Sequence, residues 1–387
     1  MKDTHNLIIK NGNVFDATYK FHKGSITIDN DVIRGVCFDE EKGSSLANTI
    51  INAENLYVLP GLTDIHLHGC RGNDFCDGSE AAFDNILSYE LSNGITSVCL
   101  TTMSFSEERL QDIFEAFCAY KNETGSKILG INMEGPFLSN SKKGAQNEDY
   151  LIKPDIAMYD RLQERSGGKI VLLDLAPELD GALEFIEATS SNVNISLAHT
   201  DADYETANKA FLKGANHVTH LYNAMNGFEH RKPGVVGAVA DNENVYAEII
   251  GDGIHVAAPV VRATLKLLGD DRVVLISDSM EACGMPDGDY ELGGQEVKKL
   301  GNKATLSDGT IAGAVSNLFD NLIYLVKEMN ISLETAIKCA AVNPIKSIGM
   351  YDTYGSIEKD KKANLILLDK DLNLKYVIKD GKIEYSY

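Results

Sequence analysis

The sequence predicts an α/β protein: a (β/α)8 TIM barrel with a small β-sandwich domain built from both chain termini. Three observations carry this. Between about residues 59 and 355, short apolar segments alternate with helical patterns. Eight such segments can be counted, beginning near Val58, Ile95, Ile128, Ile170, Ile195, Val218, Tyr246 and Val273. Eight parallel strands joined by crossover helices close into a barrel. The two ends of the chain share a different texture, with short strands separated by Asn-Gly, Lys-Gly and Asp-Asn-Asp turn signals. The expected division is residues 1–57 plus 356–387 for the small domain and 58–355 for the barrel.

The elements follow in order. Leu7-Ile8-Ile9, Val14-Phe15-Asp16, Gly24–Ile28 and Val32–Val36 read as short strands, and the small domain is completed by Ala363–Asp369 and a hairpin over Tyr376–Ile383. The first barrel strand is read in Leu59–Gly69, punctuated by Pro60 and Gly61 at its start and Gly69 at its end. Side chains alternate along a strand, so Asp64, His66 and His68 share one face and Ile65 and Leu67 the other. Helical patterns occupy Glu80–Ser92, Glu107–Lys121, Ala182–Ala188 and Tyr204–Leu212. After the eighth strand come a glycine-rich loop over Cys283–Gly294 and helices near Asn317–Asn330 and Leu333–Ala341.

Composition narrows the function. The 387 residues carry 36 basic and 57 acidic side chains, a formal charge of -21, which argues against nucleic acid and anionic membranes as partners. No apolar run approaches the ~18 residues of a membrane span. The first residues lack the apolar core of a signal peptide. Seven cysteines without a C-x-x-C pair suggest reduced thiols, and cytoplasmic localisation is the expectation.

In a barrel of this kind the active site sits at the C-terminal ends of the strands, and candidate ligands end five of them. His66 and His68 end the first, Glu134 the third, His199 the fifth, His220 the sixth and Asp278 the eighth. Two imidazoles about 7 Å apart on one strand can chelate a divalent ion. Four histidines and two carboxylates suffice for two, with Glu134 between them as the natural bridge. A bound ion lowers the pKa of water toward ~7 and polarises a carbonyl. Asp278 is then placed to act as general base on that water and later as acid toward a leaving amine. His217 precedes His220 by three residues, so alternation turns it the opposite way and argues against it as a ligand. Asp64 either orients a histidine or is a buried polar residue. His5 and His22 read as surface residues of the small domain. Cys70 and Cys76 read as packing residues, because no base is visible beside either.

Further segments suit a substrate. Asn223-Ala224-Met225-Asn226 follows the sixth strand, and Arg231 lies soon after it. A guanidinium offers paired hydrogen bonds to phosphate; the plainer reading of Arg231 is a surface residue. His255 ends the seventh strand, where it either meets sugar hydroxyls or fills the barrel mouth. Ile311-Ala312-Gly313-Ala314 forms a small-residue loop that lets a ligand approach the backbone.

The motif Pro60-Gly61-x-x-Asp64-x-His66-x-His68, the histidines ending strands five and six and the Asp ending strand eight resemble the amidohydrolase superfamily. Met133–Phe137, Lys143-Gly144-Ala145, Ala198–Thr200, Thr219–Met225, His230–Gly234, Asp252–His255, Ser277-Asp278, Gly284–Gly288, Ile311–Gly313 and Asn343-Pro344 are similar, more closely, to the N-acetylglucosamine-6-phosphate deacetylase family. The similarity runs along almost the whole chain.

The resemblance implies that Glu134, His199 and His220 are core metal ligands and Asp278 the catalytic acid/base. It implies that Asn223, Ala224 and Arg231 hold phosphate, with Arg231 reaching a neighbouring subunit's site. His255 would contact sugar hydroxyls, and Ile311, Ala312 and Gly313 would line the acetyl pocket. His66 and His68 place the chain in the branch with two divalent ions per chain (Zn, Fe, Mn or Co). The products would be glucosamine 6-phosphate and acetate, in amino-sugar catabolism, and the family is usually a homodimer. One segment departs. Where the family reads Lys-Gly-x-His-Asn, this chain has Lys143-Gly144-Ala145-Gln146-Asn147. Ala145 and Gln146 are expected at the substrate, where Gln146 can donate a hydrogen bond but carries no charge.

Two other readings compete. One keeps the reaction and changes the substrate, to N-acetylgalactosamine 6-phosphate or another N-acyl compound. The other is a catalytically silent barrel, a binding or scaffold protein. All six candidate ligands are present, which counts against a silent barrel.

Overall fold

The computed structural model describes residues 6–38 and 48–387. His5 and parts of the expected small domain lie outside the described residues. Eight parallel strands form the central sheet: β1 (Leu62–Leu67), β2 (Ile95–Thr101), β3 (Lys127–Glu134), β4 (Ile170–Leu175), β5 (Asn194–Leu197), β6 (His217–Val218), β7 (Tyr246–Ile250) and β8 (Val273–Ile276). Each pairs with its neighbour in chain order. Closure between β8 and β1 is made just past the strand ends, where the Asp278 N–H donates to the His66 carbonyl at 2.9 Å and the His68 N–H to the Ser279 carbonyl at 2.8 Å. The seam of the barrel is thus tied at three candidate ligands.

Helices follow the strands: α1 (Glu80–Ser92), α2 (Glu107–Ala119), α3 (Ile156–Arg165), α4 (Ala182–Thr189), α5 (Tyr204–Lys213), α6 (Gly234–Asp241), α7 (Ala258–Leu268) and α8 (Leu318–Lys327). Ser79, Ser106, Asp155, Asp203 and Asn317 start five of them, each side chain accepting a backbone N–H of the first turn. Such a cap contributes about 1 kcal/mol. The stripe of α1 that faces the strands holds Phe83, Ile86, Leu87 and Leu91 at helical spacing, with Glu90 buried among them.

The terminal segments form a second eight-stranded sheet. Its long strand Asn6–Phe15 pairs antiparallel with Phe21–Asp29, and parallel with Thr49–Asn52 through one half and Tyr57–Pro60 through the other. Tyr57–Pro60 pairs in turn with Leu365–Leu368 from the C-terminal end. The expected sandwich is therefore one sheet built from both termini over its own core of Leu7, Ile9, Ile26, Ile28, Leu365, Leu367 and Ile378.

Two expectations change. The strand read through Leu59–Gly69 is two strands, and Tyr57–Pro60, which straddles the expected boundary at 57/58, belongs to the terminal sheet. Gly61 separates them at a close approach, where a Cβ would lie 2.3 Å from Thr96 Oγ1. The expected loop over Cys283–Gly294 instead enters an antiparallel flap of Gly288–Leu292, Gln295–Leu300 and Lys303–Thr305. Its turn is Gly293-Gly294, both glycines at positive φ.

Candidate metal centre and active site

The six candidate ligands meet at the C-terminal mouth of the barrel. His66 and His68 are buried and their rings pack edge to face at 5.4 Å. The Nε2 of His66 lies 3.6 Å from Glu134 Oε1 and 3.6 Å from Asp278 Oδ1. That of His68 lies 3.5 Å from Glu134 Oε2 and 3.3 Å from Asp278 Oδ1. On the other side of Glu134, the Nε2 atoms of His199 and His220 each lie 3.2 Å from Oε1 and 3.2 Å from one another.

Two triads result, His66–His68–Glu134 and Glu134–His199–His220, and each could hold a metal ion. A tetrahedral ion with bonds of about 2.0–2.1 Å sets its ligand atoms about 3.3–3.4 Å apart, close to the spacings found. Glu134 belongs to both triads. The buried His66 Nε2, aimed at this point, has no hydrogen-bond partner, so the donor set fits divalent ions.

Strand alternation alone does not deliver these side chains. Ser196, His217 and Thr219 all point into the barrel, since Ser196 Oγ contacts His217 Nδ1 at 3.3 Å and Thr219 Oγ1 at 2.5 Å. Continued alternation would therefore turn His220 outward. Instead His220 has φ 28, His199 φ 43 and Asp278 φ 53. A left-handed residue just past each strand end swings its side chain back over the mouth. Non-glycine residues adopt this conformation at a cost of order 1–3 kcal/mol, and such residues concentrate at functional sites. The expectation for His217 is corrected accordingly. It faces inward and is buried, its Nδ1 3.6 Å from Glu248 Oε1; burial lowers its pKa.

Charge in the mouth is mutually arranged. Burial disfavours the ionised Glu134, but hydrogen bonds from His199 and His220 outweigh it and hold the carboxyl well below the usual range. Burial likewise opposes ionisation of Asp278, yet His68, His66 and His220 push it down to about 2. Burial pushes Asp64 up to about 7; its Oδ1 accepts the His66 N–H at 3.2 Å. Of its two expected readings, Asp64 thus meets both: it is buried, and it fixes the backbone of a candidate ligand. Cys70 and Cys76 are buried with thiol pKa values pushed up by burial, so they stay protonated and packed. His22 is exposed on the strand Phe21–Asp29 of the terminal sheet, 3.4 Å from Asp16 Oδ2.

Above the triads lies a cavity of about 390 Å³, within the range of small-ligand sites. Ala145, Gln146, Asn223, Ala224, His255, Ile311 and Gly313 line it, as do His68, Glu134, His199, His220 and Asp278. Ala312 is fully buried behind its neighbours. Arg231 is exposed and lies outside the lining of this cavity. His255 Nδ1 is held by Asp252 Oδ2 at 2.7 Å. Burial opposes its charging, but the Asp252 partner prevails and raises its pKa. Gln146 is fully engaged. Its Oε1 accepts the Ser104 N–H at 2.8 Å, and its Nε2 donates to Glu134 Oε2 at 2.7 Å.

Several residues of the site went unread in the sequence. Lys142 lines the cavity, and its carbonyl holds His199 Nδ1 at 2.8 Å. Leu292 of the flap and Met103 also line it. Glu248 lies 3.0 Å from His66 Nδ1, and Asp174 accepts from Thr219 Oγ1 at 2.9 Å, both fully buried. Each is an acid inside an apolar strand, the one signal that marked them.

Comparison with known proteins gives a concordant result. Residues 57–383 match the model of the amidohydrolase family. The chain is 34% identical to N-acetylglucosamine-6-phosphate deacetylase of Bacillus subtilis (strain 168), over 85% of this chain and 84% of that one. It is 30% identical to N-acetylgalactosamine-6-phosphate deacetylase of Escherichia coli O157:H7, over 84% of this chain and 87% of that one. A structure of a mutant N-acetyl-D-glucosamine-6-phosphate deacetylase from Mycobacterium smegmatis, in complex with N-acetyl-D-glucosamine-6-phosphate, superposes with a TM-score of 0.91 at 27% identity, covering 98% of this chain and 99% of that one. The chain belongs to the amidohydrolase family and, within it, to the N-acetylglucosamine-6-phosphate deacetylases.

Proposed function

We propose that this chain hydrolyses the acetamide of N-acetylglucosamine 6-phosphate, giving glucosamine 6-phosphate and acetate, with two divalent ions (Zn, Fe, Mn or Co) held by His66, His68, Glu134, His199, His220 and Asp278. The observation that carries this reading is the pair of triads sharing Glu134 on the floor of the cavity. When bound, such ions lower the pKa of water and polarise a carbonyl. Asp278, whose carboxyl is held ionised by three histidines, takes the proton from the attacking water. It then delivers that proton to the departing amine nitrogen. His255, braced by Asp252, meets the sugar hydroxyls, and Ile311 and Gly313 border the acetyl group while Ala312 backs them.

Asn223 and Ala224 take the phosphate. Among the described residues, Lys142 supplies the one lysine or arginine side chain of the cavity lining. Arg231, exposed beyond its own cavity, serves the cavity of a second copy in a homodimer. Cys70, Cys76, Cys99, Cys118, Cys283 and Cys339 form no disulfide, which supports a reducing, cytoplasmic setting, and the role is amino-sugar catabolism. Two units follow the two sheets, with Gly61 as the junction on the N-terminal side. No helix among the described residues is long and apolar enough to cross a membrane.

A second reading is favoured by the 30% identity to an enzyme named for the galacto epimer. Acetate release from both 6-phosphates and from unphosphorylated N-acetylglucosamine, offered side by side, tests the assignment. Turnover of the gluco 6-phosphate well above the others is expected. Preferred turnover of the epimer would move the assignment to it, and no release from any of the three would refute it.

A further inference from the structure

Glu248 is fully buried on β7 and has no part in the chemistry described above. Its carboxylate nonetheless touches both triads. Oε2 lies 3.0 Å from His66 Nδ1 and accepts the backbone N–H of His220 at 3.2 Å. Oε1 lies 3.6 Å from His217 Nδ1 and has no hydrogen-bond partner. The backbone of β7 adds a further tie, with the Glu248 carbonyl accepting the Leu221 N–H at 2.9 Å.

The consequence for His66 is specific. A carboxylate oxygen only accepts, so the proton of a neutral His66 ring resides on Nδ1. The lone pair is then on Nε2, the atom that faces Glu134 and Asp278 at 3.6 Å each. His199 is fixed in the same tautomer by the Lys142 carbonyl at 2.8 Å. Each triad therefore has one histidine whose orientation is set from behind. The His220 contact is of a different kind. It holds the N–H of a residue with φ 28, so it braces the left-handed turn that brings the His220 ring over the mouth.

We propose that Glu248 is the positioning residue that prepares both triads for their ions, acting through the His66 ring and the His220 backbone. This rests on the reading of the triads as ion sites. Partners behind metal-bound histidines typically contribute 10- to 100-fold in affinity. The role depends on an acceptor at one place, so three substitutions separate it from charge and from packing. Glu248→Ala removes the acceptor. Glu248→Asp keeps the charge but withdraws the oxygens by about 1.5 Å. Glu248→Gln keeps an amide oxygen able to accept both N–H groups.

The experiment is to count ions per chain and measure zinc affinity by competition with a chelator, with thermal unfolding of the zinc-free forms alongside. Glu248→Ala and Glu248→Asp are expected to lose 10- to 100-fold in affinity for at least one ion, and Glu248→Gln to stay near wild type. If Glu248→Ala does not fold, the Asp and Gln variants still decide. Wild-type affinity for both ions in the Asp variant would overturn the proposal, even with a lowered melting temperature. Loss in Gln as large as in Asp would also overturn it. A wild-type protein that binds no zinc would instead refute the ion-site reading on which the proposal rests.

Discussion

Replacing Gln146 with methionine would remove three hydrogen bonds, to the Ser104 N–H, Glu134 Oε2 and Met103 Sδ, and little volume. Gln146 is 2% exposed, and its amide is oriented by the Ser104 N–H, which it accepts at 2.8 Å. That contact fixes which end of the amide is nitrogen, so Nε2 must face Glu134 Oε2, at 2.7 Å. Methionine leaves the buried Ser104 N–H without a partner, costing about 1–3 kcal/mol, and removes a bond to a charged oxygen, about 1.5–3 kcal/mol more. The ion-free protein should lose about 2.5–6 kcal/mol of stability. With ions bound, Glu134 gains another source of positive charge, and the loss should shrink toward the Ser104 contribution alone. Gln146→Glu should be worse in the ion-free state, because it sets a carboxylate against Glu134. Urea unfolding of each form, with chelator and with saturating zinc, reads both quantities. A loss under about 1 kcal/mol in the ion-free Met variant would refute the claim that Gln146 holds Glu134.

Further predictions rest on other residues. Asp278→Asn should lower kcat by about 10²- to 10⁴-fold, read as acetate release at saturating substrate; a change of less than tenfold would remove Asp278 from the proton path. Arg231→Ala should raise KM for a phosphorylated substrate by about 10- to 100-fold, the size of a charge-assisted contact, and an equal loss on unphosphorylated substrate would refute the phosphate role. Glu90, fully buried, has its pKa raised well above 4.5 by burial. The folded state then holds a proton that the unfolded chain releases above 4.5, so stability falls as pH rises from there toward the folded pKa, by at most about 1.4 kcal/mol per pH unit. Glu90→Gln should flatten that slope above pH 4.5, measured by urea unfolding; an unchanged slope would assign it to other groups.

The parts of this molecule that were legible in the sequence are those whose signal is local. His66 and His68 share one strand face, and Glu134 stands just before a Gly-Pro turn. Ligands ending separate strands gain meaning together, because barrel topology brings strand ends to one rim. Where a single dihedral decides direction, local pattern fails. His217 and His220 differ in placement because His220 takes a left-handed turn, which the period of two cannot express. Glu248 was missed because its value comes from β1 and β6, which only the closed barrel places beside it. The flap had a readable signal in Gly293-Gly294 between alternating segments, which the glycine-rich composition of the stretch masked. Arg231 illustrates the reverse case, since a motif names it although it is exposed and lies outside the lining of the cavity.

The most direct test of the account is to strip the protein of metal with a chelator and titrate a divalent ion back while following acetate release from N-acetylglucosamine 6-phosphate. The stripped protein should be inactive and should regain activity in proportion to ion bound, reaching its plateau at two ions per chain. A plateau at one ion would remove the His66–His68 triad from the reaction. Full activity in the stripped protein would contradict the account at its centre.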